Sequence, residues 1–302
     1  MDQKRRQVRG YALALFAACG WATGGLLSKW AFTEGLVTPE VLAGARAGVG
    51  ALLLGFWLVV IKRKRLFVGL SARSLLFLVP FGAFAVAGMQ YTYFKTISLT
   101  NVATAILLEY LAPIFTLMAA VTIFRHRLRW QMVVGVAAAI LGCAVAVGAF
   151  NPGGLTITPA GLMWGIVAAM FFALYSVMGD QGNNVYDSLE LLFYSLFFAS
   201  MTWLILVGPR EISAPFTDIK LASMIMIMAI VSTILAFGAY LVAMRTISPT
   251  HASITAMLEP VVAGIAAAFL FGETMTFSLV LGGAIIVASV AFIQQIDMRK
   301  DS

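Results

Sequence analysis

One stretch of the chain occurs twice, as KTISLTNVATAILLE (residues 95–109) and as RTISPTHASITAMLE (residues 245–259). Aligned without a gap, the two copies share six identical residues, and Lys95 matches Arg245 in charge. Each copy leads into an apolar segment that contains a proline, LAPIFTLMAAVTIF after the first and PVVAGIAAAFLFG after the second. A match of this kind at a fixed separation indicates an internal duplication.

The composition predicts the medium in which the duplicated chain folds. Hydrophobic residues make up 61% of the 302 positions, and charged residues only 11%. Nearly every long segment is therefore too apolar to have a water-facing side, which is typical of a chain in a lipid bilayer. A helix needs about 20 apolar residues to cross a hydrocarbon core of about 30 Å.

Ten apolar segments of suitable length are separated by charges, prolines and glycines. They cover residues 8–32, 41–61, 75–94, 102–124, 130–150, 161–178, 189–207, 221–244, 252–271 and 277–296. Strands are excluded, because an open sheet leaves backbone amides unpaired in lipid and the segments lack the alternation of a barrel. The predicted fold class is an all-α polytopic membrane protein with ten transmembrane helices.

The distribution of lysine and arginine predicts that both termini are cytoplasmic. With that orientation fifteen basic residues lie inside and four lie outside, whereas Arg46 lies within a span. One predicted cytoplasmic turn, GDQGNNVYDS (residues 179–188), has no basic residue and departs from the trend. The net charge of +7 then faces anionic lipid and does not indicate nucleic-acid binding.

The odd number of spans in each copy has a geometric consequence. Five helices that start inside end outside, so the second five are inverted relative to the first. The predicted halves are residues 1–150 and 151–302, joined by the turn-rich linker NPGGLTITP (residues 151–159). Inverted halves with broken helices are typical of secondary transporters, in which the substrate site lies near the midplane between the repeats.

Glu109 and Glu259 are the strongest site candidates, because each lies in the middle third of a predicted span. An ionised carboxylate there costs several kcal/mol unless it is paired, neutralised or hydrated. Pro113 and Pro260 break the helices nearby and leave the carbonyl groups of Glu109 and Ala256 without a donor. This arrangement suits a polar ligand or a proton. The alternative is a structural role, in which the glutamates bind neighbouring helix ends.

Arg46 and Trp21 lie inside predicted spans, where each needs an explanation. Arg46 is about 10 Å along the second span, and its partner is either Glu34 or Glu40 at the outer mouth or a substrate carboxylate. Trp21 lies in mid-membrane, so it either packs within the bundle or lines a cavity.

The remaining candidates for a substrate-binding role are aromatic or polar residues in the spans. They are Gln90, Tyr91, Tyr110, Trp164, Tyr240 and His251. Rings with polar tips near a helix end are typical of an interfacial aromatic belt, but Gln90 and Tyr240 occupy matching positions in the two halves, which makes a pocket wall the alternative. Tyr91 and Trp164 fit either a pocket or an interfacial aromatic belt. His251 is interpreted as an accessory group, because it lies nearer the inner surface.

The fifth and tenth spans contain GVAAAILGCAVAVG (residues 135–148) and GGAIIVASVA (residues 282–291). Small residues allow close helix approach, so these spans are predicted either to pack the halves together or to form a dimer seam. Cys19 and Cys143 lie in apolar helix interiors and are interpreted as buried thiols. No metal site, cofactor or catalytic constellation is predicted, and the chain is not expected to be an enzyme.

The second half resembles the second repeat of an EamA-type member of the drug/metabolite transporter superfamily. The resemblance rests on the Leu-Glu-Pro at residues 258–260, on Gly272 with Glu273, and on the glycine-bearing last helix. The first half resembles the sister repeat through Trp21, Arg46 and Pro113. It departs from the family pattern at residues 125–126, where arginine and histidine stand in place of Gly-Glu.

This resemblance implies ten helices, cytoplasmic termini and alternating access. The segment LLEYLAP (residues 107–113) is most similar to bacterial exporters of aromatic and other amino acids. The expected function is therefore export of amino acids, with broad specificity, across the inner membrane. Arg46 or a helix end would bind the carboxylate, and Glu109 or Glu259 the ammonium group.

Other small-molecule substrates are the alternative on the same fold: nucleotide sugars, sugar phosphates or lipophilic drugs and cations. Phosphate substrates predict several basic residues inside the spans, and only Arg46 is clearly there. The sequence leaves the direction of transport, the energy source and the oligomeric state open.

Overall fold

The computed structural model of the chain describes residues 2–68, 70–123, 125, 129–153, 155, 157–262, 265 and 276–298. Within these ranges, the described side chains run from position 5 to position 293. Every long regular element in this part of the chain is a helix, and none of the described residues forms a strand. The all-helical class predicted from the sequence is therefore confirmed for the described residues.

The helices are numbered here in chain order. They are α1 (Asp2–Thr33), α2 (Pro39–Ile61), α3 (Ala72–Leu99), α4 (Val102–Glu109), α5 (Ala112–Thr122), α6 (Trp130–Ala146), α7 (Pro159–Asn183), α8 (Ser188–Leu206), α9 (Pro209–Ser213), α10 (Ile219–Ala243), α11 (Pro249–Ala256) and α12 (Phe277–Met298). A 3-10 turn, Ala214–Thr217, precedes α10, and residues 259–262 form a helical turn after α11.

Seven helical segments of the described chain are long and apolar enough to cross a membrane: α1, α2, α3, the α4–α5 segment, α7, α8 and α10. The apolar helices α6 and α12 correspond to the predicted fifth and tenth spans and are shorter. These segments make the chain a multi-pass membrane protein. The predicted ninth span falls partly on residues 263–264 and 266–271, which lie outside the described residues. The ten-helix count therefore stays a prediction.

Several helices begin where a polar side chain caps the first turn. The Thr38 hydroxyl accepts from the Val41 amide before α2, and the Asn101 carbonyl oxygen accepts from the Thr104 amide at 2.7 Å before α4. The helices α2, α7 and α11 also start with proline, whose missing N–H costs nothing in the first turn. Local sequence therefore determines where these membrane helices start.

Three of the long helices contain a widened π-helical turn, which in α2 is the C-terminal segment Trp57–Ile61. In α3 this segment is Phe81–Val86 and directly follows Pro80, which cannot supply an N–H to the preceding turn. In α10 the segment is Met228–Leu235, where the hydroxyls of Ser232 and Thr233 donate to the Met228 carbonyl. Widened turns of this kind re-aim side chains, and the one in α10 directs Ser232 towards α2.

The α4–α5 segment and the chain around α11 are both interrupted shortly before a proline. The helices α4 and α11 are each eight residues long. The Leu111 amide donates to the Leu108 carbonyl at 3.1 Å, and the Leu258 amide donates to the Thr255 carbonyl at 3.2 Å. These two turns lie 147 positions apart, whereas Glu109 and Glu259 lie 150 apart. Glu109 therefore ends the helix before its break, and Glu259 follows the other break.

The main helix contacts join the two halves of the chain. α1 packs on α10, α2 on α8, α3 on α7, and α6 on α12. In helix order α1 corresponds to α7, α2 to α8, α3 to α10 and α6 to α12. Exchanging each helix for its counterpart gives the same four pairs. Two related five-helix halves would make such a set, although the division at residue 150 stays a prediction.

The contact between α6 and α12 depends on glycine. A Cβ at Gly142 would lie 3.0 Å from the Gly282 carbonyl oxygen, and a Cβ at Gly282 would overlap the Ala146 backbone nitrogen. The two helices therefore touch backbone to backbone. Of the two roles predicted for the fifth and tenth spans, the structure shows the packing of the two halves against each other.

Candidate functional site

A small cavity lies inside the bundle, where the two breaks face α1, α2, α3, α7 and α10. Its lining residues come from both halves: Trp21, Gly24, Gly25, Arg46, Met89, Gln90, Tyr93, Glu109, Tyr110, Phe172, Phe237 and Glu259. The cavity volume is about 30 Å³, which is room for about two water molecules. The bundle is therefore closed around this cavity, and a ligand larger than a few atoms can enter only if helices move apart.

Six of the residues predicted from the sequence meet at this cavity. They are Trp21, Arg46, Gln90, Glu109, Tyr110 and Glu259. They belong to five separate helical segments, so only the tertiary structure brings them together.

Four predicted residues do not line the cavity. The Tyr91 ring packs 5.4 Å from the ring of Trp164, in a separate aromatic cluster. Tyr240 lies one layer behind the cavity wall, with its ring 5.1 Å from Trp21 and its hydroxyl bonded to Ser176. His251 is buried on α11. In this closed state these four side chains do not face the cavity. They would affect a ligand there only through the residues that line it.

Arg46 is almost fully buried, at 5% exposure. Its Nη1 atom is 3.5 Å from the Ser232 hydroxyl, and its guanidinium carbon lies 4.8 Å from the centre of the Phe94 ring. A cation over an aromatic face is stabilised electrostatically. Within the described residues Arg46 forms no ion pair, so the partnership with Glu34 or Glu40 considered from the sequence does not occur. The positive charge of Arg46 is therefore available to a ligand in the cavity.

Glu109 faces the cavity from the C-terminus of α4 and is half-buried. In the described part of the chain its carboxylate accepts no hydrogen bond, although Arg46 and Glu259 lie close enough to interact with its charge. The cavity therefore contains the Arg46 cation and the Glu109 carboxylate, both from the first half, in one space.

Glu259 has a more enclosed environment, with only 2% of its surface exposed. Its Oε2 atom lies 2.6 Å from the Tyr110 hydroxyl, and the same hydroxyl lies 2.6 Å from the Ala256 carbonyl oxygen. Pro260 has no N–H to offer this carbonyl, so Tyr110 supplies the hydrogen bond that the broken helix lacks.

Aromatic rings form one wall of the cavity. The Trp21 ring lies 5.6 Å from Phe172 and 5.0 Å from Phe237. Gly24, one turn beyond Trp21, lets α10 approach, because a Cβ there would lie 2.7 Å from the Ser232 hydroxyl. These rings carry no charge, and they can pack against an apolar group of a ligand.

Buried polar atoms without a hydrogen-bond partner are concentrated here. Within the described chain, six of them belong to lining residues: Trp21 Nε1, Arg46 Nε, Gln90 Nε2 and Oε1, Tyr93 Oη and Glu259 Oε1. Most buried polar atoms in proteins are partnered. The group includes donors and acceptors, so the cavity can hydrogen-bond a ligand that carries both.

The sequence analysis did not select several residues that shape this site. They are Gly24, Gly25, Met89, Tyr93, Phe172, Phe237 and Ser232. Tyr93 and Gln90 lie one turn apart on α3, so helical spacing from Gln90 would have selected Tyr93. No sequence signal points to Ser232, because the widened turn in α10 that directs it towards Arg46 contains no proline.

Polar contacts also join the helix ends outside the cavity. The Lys29 ammonium donates to the Thr100 carbonyl at 2.7 Å, and Arg245 Nε donates to the Ser188 hydroxyl at 2.8 Å. After α2, Lys64 forms an ion pair with Glu190 of α8 at 2.7 Å. The Glu190 carboxylate raises the pKa of Lys64 above its ordinary value. Lys64 and Glu190 belong to different halves and therefore tie them together.

Two residues of the family resemblance, Gly272 and Glu273, lie outside the described residues, as does His126. Among the residues that the structure describes, no group of three or more histidine, cysteine, aspartate or glutamate side chains could hold a metal ion.

Comparisons with known proteins agree on the class of molecule. The model of the EamA-like transporter family matches residues 8–148 and 159–294. The chain is similar to the uncharacterized inner membrane transporter YicL of Salmonella typhimurium, with 25% identity over 294 residues and 97% of each chain covered. It is also similar to the S-adenosylmethionine uptake transporter of Rickettsia prowazekii, with 29% identity over 204 residues, 68% of this chain and 66% of the relative.

The fold has a counterpart among solved structures. A protein crystal structure of 20% sequence identity has a TM-score of 0.75, over 97% of this chain and 99% of its own. At that identity the likeness concerns the fold alone.

Proposed function

Because the chain belongs to the EamA-like transporter family, we propose that it exports amino acids of several kinds across a bacterial inner membrane. The observation that carries this proposal is one enclosed cavity that contains the Arg46 guanidinium, the Glu109 carboxylate and an aromatic wall. An α-amino acid presents a carboxylate, an ammonium group and a variable side chain, which these three features match.

Arg46 is proposed to bind the substrate carboxylate. Among the described residues its Nε is buried without a partner, and its one hydrogen bond goes to the neutral hydroxyl of Ser232. Arginine binds carboxylates through two parallel hydrogen bonds. A buried cation that forms no ion pair within the described part of the chain is suited to an anionic ligand group.

Glu109 is proposed to bind the substrate ammonium group. Its carboxylate faces the cavity and accepts no hydrogen bond within the described chain. The rings of Trp21, Phe172 and Phe237 would then contact the side chain of the substrate. A wall of rings without a fixed charge discriminates weakly between side chains, which supports broad specificity.

The proposed mechanism is alternating access between two inverted halves with both termini in the cytoplasm. The cavity of about 30 Å³ is closed around its own side chains. Substrate binding would require the halves to move apart on one side, as in transporters built from inverted repeats.

Uptake of an amino-acid derivative is a second candidate, supported by the relatives from Rickettsia prowazekii and Rickettsia felis, which are named S-adenosylmethionine uptake transporters. S-adenosylmethionine has the same α-amino acid group together with a positively charged sulfonium. Aromatic rings and carboxylates suit such a cation. This candidate differs from the first in direction and in the size of the substrate.

The test is transport into proteoliposomes that contain the purified protein in known orientation. Radiolabelled phenylalanine, threonine, lysine, S-adenosylmethionine, a sugar phosphate and a lipophilic cation would each be supplied on either side, alone and in competition. We expect several amino acids to enter and to compete with one another. Entry of the sugar phosphate or the lipophilic cation alone would contradict the proposal.

A matched pair of variants links transport to the cavity. Glu109→Gln removes the charge that would bind the ammonium group, and we expect transport to fall at least about tenfold, the equivalent of about 1.4 kcal/mol. Glu211→Gln is the control, because Glu211 is an exposed glutamate of α9. Equal loss in both variants would separate transport from the cavity.

A further inference from the structure

The hydrogen bonds of Tyr110 impose a constraint on Glu259. The Tyr110 oxygen lies 2.6 Å from two atoms, the Ala256 carbonyl oxygen and Glu259 Oε2. A phenol has a single hydrogen to donate. The Ala256 carbonyl can only accept, and so can an ionised carboxylate. If Glu259 were ionised, one of the two contacts would join lone pairs without a hydrogen between them.

A proton on Glu259 gives both contacts of the Tyr110 oxygen a hydrogen. The Glu259 Oε2–H then donates to the Tyr110 oxygen, and Tyr110 donates to the Ala256 carbonyl. Both distances are typical of short O–H···O hydrogen bonds. The direction of the second bond is fixed, because a carbonyl oxygen can only accept, and Pro260 leaves this carbonyl without its helical donor.

The surroundings do not neutralise a charged Glu259 in another way. Its other oxygen, Oε1, is buried and has no partner within the described chain. Arg46 donates to Ser232, and it forms no ion pair with Glu259. An ionised carboxylate with one shared hydrogen bond in mid-membrane would be costly.

The other titratable groups near Glu259 come from several helices. They are Arg46 of α2, Tyr93 of α3, Glu109 and Tyr110 at the end of α4, and Cys143 of α6. The helices α1, α7 and α10 contribute only glycine and aromatic rings to the cavity lining. Glu109 and Glu259 lie close enough for their charges to interact, so ionisation of both carboxylates at once is disfavoured.

We propose that Glu259 is the proton-binding site of this transporter and that Tyr110 links its protonation to the contact between the halves. Tyr110 belongs to the first half, and Ala256 and Glu259 belong to the second. When Glu259 holds a proton, the chain of two hydrogen bonds joins the halves across the cavity. When the proton passes to water in an opened cavity, Tyr110 has one hydrogen for two acceptors, so one of the two contacts between the halves is lost and the link is weakened.

The two glutamates then have different roles, in keeping with their different positions at the breaks. Glu109 faces the cavity and is open to the substrate, whereas Glu259 is enclosed and binds the proton. The coupling of this proton to substrate movement rests on the proposed function, but the protonation itself does not.

Infrared difference spectroscopy of the protein in lipid tests the protonation without any substrate. A protonated carboxylic acid has a C=O stretching band that an ionised carboxylate lacks. We expect such a band at neutral pH, its disappearance in Glu259→Gln, and its retention in Glu109→Gln. A spectrum in which Glu259→Gln removes no band would overturn the proposal.

Tyr110→Phe tests the hydrogen-bond direction in a protein that keeps Glu259. Loss of the phenol oxygen removes the acceptor of the Glu259 proton, so the band should move to higher frequency. An unchanged band position would show that Glu259 does not donate to Tyr110 and would overturn the proposed link. Glu259→Gln should fold, because the glutamine amide can donate to Tyr110 as the protonated acid does.

Transport measurements then test the coupling separately. In proteoliposomes, a pH gradient should no longer raise the accumulation of amino acids by Glu259→Gln above the level that this variant reaches without a gradient. Gradient-driven accumulation at the wild-type level in this variant would overturn the coupling. If no amino acid is transported by the wild type, the proposed function fails, and the infrared result still decides the proton site.

Discussion

The environment of Arg46 indicates which chemical group of a ligand this residue would bind. It lies in mid-bundle, held by the Ser232 hydroxyl and by the Phe94 ring, with no carboxylate in an ion pair with it among the described residues. A protein that needed Arg46 only for stability would have paired it, because an unpaired buried charge is costly. Its neutral contacts position the guanidinium and leave its charge available.

Replacing Arg46 with glutamine should therefore weaken the binding of substrates that have a carboxylate. Hydrogen bonds between charged groups contribute about 1.5–3 kcal/mol, so we expect KM for phenylalanine to rise about tenfold or more. Inhibition by the corresponding amine without a carboxylate should change little. Competition assays in proteoliposomes measure both effects.

Arg73→Gln is the matched control, because Arg73 is exposed near the start of α3. If phenylalanine and its amine lose affinity equally in Arg46→Gln, the arginine acts on the fold and not on the carboxylate.

At the scale of elements, the sequence alignment and the structural equivalence of the two broken helices differ by three residues. Aligned at a separation of 150, Glu109 and Glu259 are the same residue of two copies. The helices themselves, with equal lengths and equivalent turns, are related by a separation of 147, which pairs Glu109 with Ala256. Hydrogen bonding, and not residue identity, determines where a helix breaks, and so the two glutamates lie on opposite sides of their breaks.

The contact of α6 with α12 yields a prediction on the same scale. Gly282→Ala would place a methyl group against the backbone of Gly142 and Ala146 and separate the helices. Overpacking of this kind costs about 1–3 kcal/mol, so the variant should unfold at a lower temperature in detergent.

Gly48→Ala serves as the control for that measurement. The nearest atom to a Cβ at Gly48 is the Ser200 Cβ at 3.9 Å, an ordinary contact. The melting temperature of Gly48→Ala should therefore stay near that of the wild type. Similar melting temperatures for Gly282→Ala and the wild type would show that α6 and α12 can separate without cost.

At the scale of the whole molecule, every major helix contact joins the two halves, and so does the ion pair of Lys64 with Glu190. The positive charge near Lys64 predicts that this pair lies on the cytoplasmic side. If the halves move apart there during transport, this link must open in each cycle.

Cross-linking these two positions should therefore stop transport. We would replace Cys19 and Cys143 with serine, introduce Lys64→Cys and Glu190→Cys, and treat the protein with a cleavable bifunctional maleimide. Transport should fall to the background level and return after cleavage of the linker. Each single-cysteine variant is the control, and full transport by the cross-linked protein would contradict movement of the halves at this point.

The sequence by itself determined the membrane class, most helix bounds and the candidate residues Glu109, Glu259, Arg46 and Trp21. These follow from composition, from apolar length and from the cost of charge in lipid, all of which act locally along the chain. Only the tertiary structure decided which candidates share a cavity. Ser232 and Tyr110 acquire their roles from partners 186 and 149 positions away. Such contacts depend on how helices pack, because the apolar faces that bring helices together in a membrane carry little information about which partner they meet.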